Sequence, residues 1–457
     1  MNTHRRNNSV LIIGAGPSGV ACAQKSLEKG FDVTILEQGF PLDLRICPAK
    51  NSSLGCIACP ICSIMCGFGG AGAFSDGKFT MPQKPGPYHI GGNLPSYIGY
   101  ETTNALIKSR FELGISHGTP NNLIRNQSSD FIRKFDEELE KVGLFRAAAD
   151  VNHIGTSAVQ ALYKQYETEL INAGAKIYYH TKVEDLIVSG KTVLGVVTST
   201  GERYFADNIV IATGRSGAKW FEGIAKKYKF PRKPAMADFG FRVEVPSSVM
   251  KEVNDNLYEA KIILKRNDMS ARMFCTNPNG AVVTEQADGI AFVNGHSDNV
   301  DLSNLTNFAV LVTTPRYTQE QVRKLGLRVN KLGDSQPMIQ TWSDLIANKS
   351  STREVLDLNP TLKTATPGNF RGIFPEKELS CIIEYMQALN KVIPGITGSN
   401  TLLYGLEAKF CHPGLVLTSS LQIEGWNIFV PGDAGITHGL ASAEASGEFI
   451  VNSFGQG

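Results

Sequence analysis

No stretch of this chain approaches the roughly 20 consecutive apolar residues that a membrane-spanning helix needs, so no helical membrane span is expected. There is also no run of like charge. With 45 Lys and Arg against 43 Asp and Glu, a net charge of +2, a polyanion such as nucleic acid is excluded as the main partner. The sequence contains neither an internal repeat nor a low-complexity segment. Residues 1–8 are polar and basic, but the apolar segment after them is five residues long and runs into glycine. That is not the pattern of a signal peptide. What is present is ordinary globular composition, 42% hydrophobic and 19% charged, in 457 residues, enough for two or three domains. The expectation is a cytoplasmic protein with a small-molecule substrate.

The chain is organised around its first forty residues. Ser9-Val-Leu-Ile-Ile13 is a short apolar run that fits a buried strand, and Gly14-Ala15-Gly16-Pro17-Ser18-Gly19 follows it with Gly-x-Gly-x-x-Gly spacing. Val20 to Gly30 reads as a helix with a glycine stop. Phe31 to Glu37 reads as a second strand ending in an acid, 18 residues beyond Gly19. In such a unit Gly14 permits the tight turn, Gly16 lets a pyrophosphate approach the backbone, and Gly19 lets helix and strand pack closely. The phosphates then meet the free amides and positive dipole of the helix start. Glu37, with Gln38 beside it, is placed to bind a ribose diol.

Two further strand ends choose between a nicotinamide and a flavin. Ala212-Thr213-Gly214 closes a strand after a small antiparallel meander, expected over 176–180, 183–188 and 192–198. Gly432-Asp433 closes a strand before a C-terminal helix, expected over 438–451 and containing Gly439, Leu440 and Ala441. Together these indicate FAD held along its whole length. Asp433 would accept hydrogen bonds from ribityl hydroxyls, and the helix would point its positive end at the flavin N1–C2=O edge. The glycine loop Gly69-Gly70-Ala71-Gly72 lets backbone come close to the flavin or pyrophosphate. Val183, at the start of the meander's second strand, joins the expected cofactor residues.

The fold class is therefore α/β: a Rossmann-type FAD-binding domain, parallel sheet plus antiparallel meander, with an inserted mixed α+β substrate domain. The expected boundaries are 1–235 and 385–457 for the two parts of the FAD domain and 236–384 for the substrate domain. Arg242 and Arg371 within the latter are candidate anchors for a substrate carboxylate, set against a plain pairing role at the surface or between domains.

Gly69-Gly-Ala-Gly-Ala-Phe-Ser-Asp-Gly-Lys78, Gly240-Phe-Arg-Val-Glu-Val-Pro246, Val293-Asn-Gly-His296, Thr366-Pro-Gly-Asn-Phe-Arg371 and Gly432-Asp-Ala-Gly-Ile-Thr-His-Gly439 resemble the uncharacterised FAD-dependent dehydrogenase family of the glutathione-reductase-like flavoprotein superfamily. The resemblance runs from the first strand to the last helix and implies a two-domain FAD fold and a redox function, but no substrate. Where that family usually has Arg, this chain has His438. A histidine at that helix start could donate to the flavin or to substrate and titrate near neutrality, or simply cap the helix. His296 has the same two readings.

Five of the nine cysteines fall within residues 47–66. Cys56-x-x-Cys59-x-x-Cys62-x-x-x-Cys66 has the spacing of a ferredoxin ligand run, preceded by Cys47. Cys47, Cys56, Cys59 and Cys62, with Cys66 as the alternative fourth ligand, fit a [4Fe–4S] cluster or one Zn²⁺. Cys47 as ligand would leave Cys66 free as a catalytic thiol by the flavin. The rival is a redox disulfide, Cys56 with Cys66. No second Gly-x-Gly-x-x-Gly occurs mid-chain, which argues against stable NAD(P)H binding. Electrons then pass by direct oxidation of substrate, by transient NAD(P)H contact, or through the cysteines to an electron-transfer protein. The function expected is an FAD-dependent oxidoreductase working at the flavin N5, with catalytic candidates His438, Cys66 and His296. The alternatives are a thiol–disulfide oxidoreductase and a non-catalytic flavin or metal redox sensor.

Overall fold

The structure is a computed structural model that describes residues 8–48, 59–82, 92–124, 129–287, 289–296, 303–410 and 414–455. The chain divides into two compact units: Met1–Arg125 with Ala149–Lys233 and His412–Gly457, and Asn126–Ala148 with Pro234–Cys411.

In the first unit, strand β1 (Ser9–Ile13), helix α1 (Pro17–Glu28) and strand β2 (Asp32–Leu36) open a five-stranded sheet. Its order is Ile428–Phe429, Asn208–Ile211, β1, β2, Lys176–Tyr178, and every neighbouring pair is parallel. Val10 to Ile13 and Ile209 to Ile211 are all buried. Helices cover a parallel sheet on both faces, so its central strands must be continuous apolar runs rather than alternating ones. The antiparallel meander is Val183–Ser189, Thr192–Thr198, Arg203–Phe205. Its composition differs from expectation. Lys176–Tyr178 belongs to the parallel sheet, because it follows the helix Thr156–Asn172, and a strand reached through a helical crossover returns parallel to its neighbour. The third meander strand is Arg203–Phe205, which is too short to show a pattern.

The second unit is built on an eight-stranded sheet. Its middle strand, Ala237–Pro246, is flanked antiparallel by Leu402–Phe410 and Leu305–Thr313. Side chains alternate across it. Phe239, Phe241 and Val243 pack with Phe308, Val310 and Met273 and with Leu379, Ile382, Tyr385 and Met386 of the helix Glu376–Val392. Asp238, Arg242 and Glu244 point to the other side and are all buried. The run 271–284, which reads as one strand, is two, Ser270–Asn277 and Ala281–Ala287. The second pairs with Ile290–His296 as a separate hairpin.

The boundary expected at 384/385 also differs. It would cut the helix Glu376–Val392, and Leu402–Phe410 sits in the centre of the eight-stranded sheet, so the second unit runs to Cys411. Residues 126–148 belong to it as well, because Leu144–Arg146 pairs with Ile262–Lys265 at the sheet's far edge. Nothing local in either sequence reports such a distant partner.

Candidate cofactor site

The first unit contains a cleft of about 910 Å³, within the range of small-molecule and cofactor pockets. Its walls come from the ends of β1 and β2, the start of α1, the cysteine turn, the glycine loop at 70–72, the meander start, Ala212–Gly217 and the start of the helix Leu440–Ile450.

The glycines of the first turn divide by role. Gly14 has φ +102°, and a Cβ there would stand 2.7 Å from the Ala212 carbonyl oxygen. A Cβ at Gly19 would stand 2.1 Å from the Gly14 oxygen. The fold requires both. Gly16 is different: with φ −75°, its Cβ would meet nothing nearer than 3.9 Å. The protein leaves that space open, at the N-cap of α1, where no side chain caps the helix and no acid stands in the first turn. The helix Leu440–Ile450 repeats the arrangement: it starts after Gly439, again with no capping side chain and no first-turn acid. Two unshielded helix starts therefore line one cleft, and both favour negative charge.

Glu37 is buried at the end of β2. Its Oε2 accepts from the Ala15 amide at 2.8 Å, and its Oε1 from the Gly39 and Gly67 amides at 2.8 and 2.9 Å. A carboxylate offers about four lone-pair sites. One is left for a ribose hydroxyl, so the acid staples the glycine turn to the segment after the cysteines as well as facing the cleft. The Gly69 amide donates to the Ala15 oxygen at 2.8 Å, closing the same junction.

Gly14, Gly16, Pro17, Ser18, Glu37, Gln38, Gly70, Ala71, Gly72, Val183, Ala212, Thr213, Gly214, Asp433, Gly439 and Leu440 all line the cleft. Ala15, Gly19, Gly69, Gly432 and Ala441 stand behind these residues. Gly432, for example, donates to Ser446 Oγ at 2.9 Å and sits where a Cβ would be 2.4 Å from Ser18 Oγ. Asp433 lies between Arg215 and His438, its Oδ2 3.5 Å from Arg215 Nε and 4.0 Å from His438 Nδ1. His438 is half exposed. The first unit does not contain His296, which stands on the hairpin of the second unit opposite Ala281. Arg215, Lys182, Lys219 and Trp220 line the cleft too. Arg215 directly follows Ala212-Thr-Gly214, and that adjacency was the one available signal.

Cys59, Cys62 and Cys66 share a wall of the cleft. Cys66 is buried, its sulfur accepting from Gln38 Nε2 at 3.2 Å, and burial pushes its thiol above the ordinary value. It stands at the Glu37 end of the cleft. Cys47, Cys59, Cys62 and Cys66 carry free thiols, and Cys56 lies outside the described residues. Among the described residues no three His, Cys, Asp or Glu side chains converge on a metal position. Arg45, missed from sequence, holds this turn. Its guanidinium is buried and donates to the carbonyls of Ser63 at 2.9 Å, Ile64 at 2.7 Å and Phe68 at 2.6 Å. Burial lowers its pKa to about 10, which leaves it charged at neutral pH.

Arg242 in the second unit is fully buried. It donates to Asn307 Oδ1 at 2.8 Å and the Cys275 oxygen at 2.8 Å, and lies 3.4 Å from Glu407. Arg371 donates to the Leu345 oxygen at 2.9 Å and faces Glu376 at 3.5 Å. Both guanidinium groups are engaged within their own unit.

A model of the family described as Glucose inhibited division protein A (GIDA) matches residues 141–238, less than half of the chain. No curated protein sequence matches the chain. Among solved structures it is similar to glycine oxidase from Bacillus cereus (12% identity, 98% of this chain and 94% of that one, TM-score 0.36). It is also similar to L-proline dehydrogenase from P. horikoshii (11%, 98% and 93%, 0.38) and L-amino acid deaminase from Proteus vulgaris (13%, 99% and 95%, 0.38). Likeness this distant bears on no detail of the site.

Proposed function

We propose that this chain is an FAD-dependent oxidoreductase acting on a small molecule. The observation that carries the reading is Gly16: the fold leaves room for a Cβ there, yet the position is glycine, at an uncapped helix start facing the cleft. A pyrophosphate supplies the reason for that glycine. The amides of α1 would hold it, the one free lone pair of Glu37 would take a ribose hydroxyl, and Asp433 would take the ribityl chain. The start of the helix Leu440–Ile450 would stabilise negative charge on the ring. When bound, the flavin supplies a centre that accepts a hydride or electrons from substrate. His438, with one ring nitrogen toward Asp433, is the residue we assign to donate to or hold a proton near the ring.

The electron partner is a nicotinamide visiting transiently or an electron-transfer protein. The compartment we assign is the cytoplasm, where free thiols persist. Beside the flavin site we assign the cysteine loop a redox or metal role, and the free, part-buried Cys59 and Cys62 favour the former. Purified chain should be yellow and release FAD rather than FMN on denaturation, identified by chromatography of the supernatant. Colourless protein that takes up no FAD removes the reading.

A further inference from the structure

Cys59-Pro60-Ile61-Cys62 places two thiols with two residues between them, the spacing of exchangeable dithiols. Both are free, both are only part-buried, and both line the cleft, so a reagent can reach them. Cys62 begins a single helical turn: its carbonyl accepts from the Cys66 amide at 2.8 Å and the Met65 amide at 3.1 Å. The buried guanidinium of Arg45 pins that turn through the Ser63 and Ile64 carbonyls. Cys66 is the wrong partner for exchange, because it is buried and its sulfur is engaged by Gln38 and Ser216. The accessible thiol on the turn that Arg45 pins is Cys62, and the accessible thiol at dithiol spacing from it is Cys59.

We propose that Cys59 and Cys62 form a thiol–disulfide exchange site on the cleft wall, with a small-molecule disulfide as substrate and Cys62 as the attacking residue. The Cys62 thiolate attacks one sulfur of the substrate; its S–S bond breaks, a mixed disulfide forms on Cys62, and the departing thiolate takes the proton Cys62 gave up. Cys59 then attacks Cys62 Sγ. A Cys59–Cys62 bond forms, the second substrate thiolate leaves, and it takes the Cys59 proton. One substrate disulfide is reduced to two thiols and one protein dithiol is oxidised, so the electrons balance without any other reagent. The site goes beyond the flavin reading and does not depend on it.

The test uses the full chain, reduced and held without oxygen, titrated with glutathione disulfide, quenched with an alkylating agent and mapped by peptide mass. Two glutathiones should be released per chain, with Cys59 and Cys62 unalkylated, linked to each other and free of adduct. Cys59→Ser should stop at a glutathione adduct on Cys62. Cys62→Ser should give no internal bond, and Cys66→Ser should behave as the parent chain. Adducts spread over all thiols with no internal bond, an internal bond that requires Cys66, or thiols that stay unreactive until a chelator strips iron or zinc would each overturn the proposal. None of these readouts changes with flavin content, so failure here and failure of the cofactor reading are separate results.

Discussion

The two units start their helices differently. In the second, Ser129, Thr318 and Thr341 each accept from a backbone amide of the helix they precede, and Thr318 completes a capping box with Gln321. In the first, α1 and the helices Tyr100–Ser116, Thr156–Asn172, Ala218–Lys227 and Leu440–Ile450 all follow a glycine, with no side-chain cap. Three of those glycines, Gly16, Gly217 and Gly439, line the cleft. A helix start leaves four amides unsatisfied. In the second unit Ser129, Thr318 and Thr341 answer them with side chains, although Ser247–Asn256 and Glu376–Val392 have no such cap; in the first, Gly16, Gly217 and Gly439 leave them open at the cleft. The contrast sets residues that serve the fold against residues that the proposed cofactor would use.

The largest effect should come from the second unit's self-contained polar groups. Arg242→Met leaves Glu407 buried without its ion-pair partner and should cost about 3–5 kcal/mol in denaturant unfolding above about pH 7, where Glu407 is charged. Glu407→Gln in the same background should recover part of that loss, and additivity would break the link between them. The same pair predicts a pH dependence. Burial raises the Glu407 carboxyl from 4.5 to about 7, so between those values the unfolded chain has lost a proton that the folded chain keeps. Stability should fall as pH rises from about 4.5 to about 7 and level off above, and Glu407→Gln should flatten that slope.

A smaller loss is expected behind the cleft. Glu444, buried on the helix Leu440–Ile450, accepts from Tyr163 at 2.6 Å and Arg110 at 3.0 Å, and Arg110 also donates to Gln24 of α1 at 2.8 Å. This network braces the two helices whose starts line the cleft. Tyr163→Phe leaves one carboxylate oxygen unpaired and should cost about 1–3 kcal/mol, with flavin affinity weakened alongside. Unchanged affinity at lowered stability would confine the network to folding. Smallest is Thr318→Ala, about 1 kcal/mol from loss of the cap in the second unit, measured by thermal unfolding with flavin content unaltered.

The contrast also explains what could be read from sequence. β1, the glycine turn, α1, β2 and Glu37 lie within thirty consecutive residues, so every constraint on them is local and visible as pattern. Asp433 and Gly439 were legible for the same reason, as a strand end followed by a helix start. What was hidden depends on distant partners. Leu402–Phe410 reads as an ordinary strand, and only its pairing with Ala237–Pro246 assigns it to the second unit. Arg45 gives no sign that its guanidinium holds the carbonyls of the cysteine turn, and Glu37 none that three amides already occupy it.

The central claim is that Gly16 is glycine for a ligand and not for the fold, and Gly16→Val tests it against the parent chain. FAD per chain and the unfolding temperature of the two apo forms would be measured side by side. The account predicts a folded, colourless variant whose apo form unfolds within about 2 °C of the parent, since a Cβ at this position comes no nearer to protein than 3.9 Å. Full FAD occupancy in Gly16→Val, or a variant that fails to fold, would contradict it.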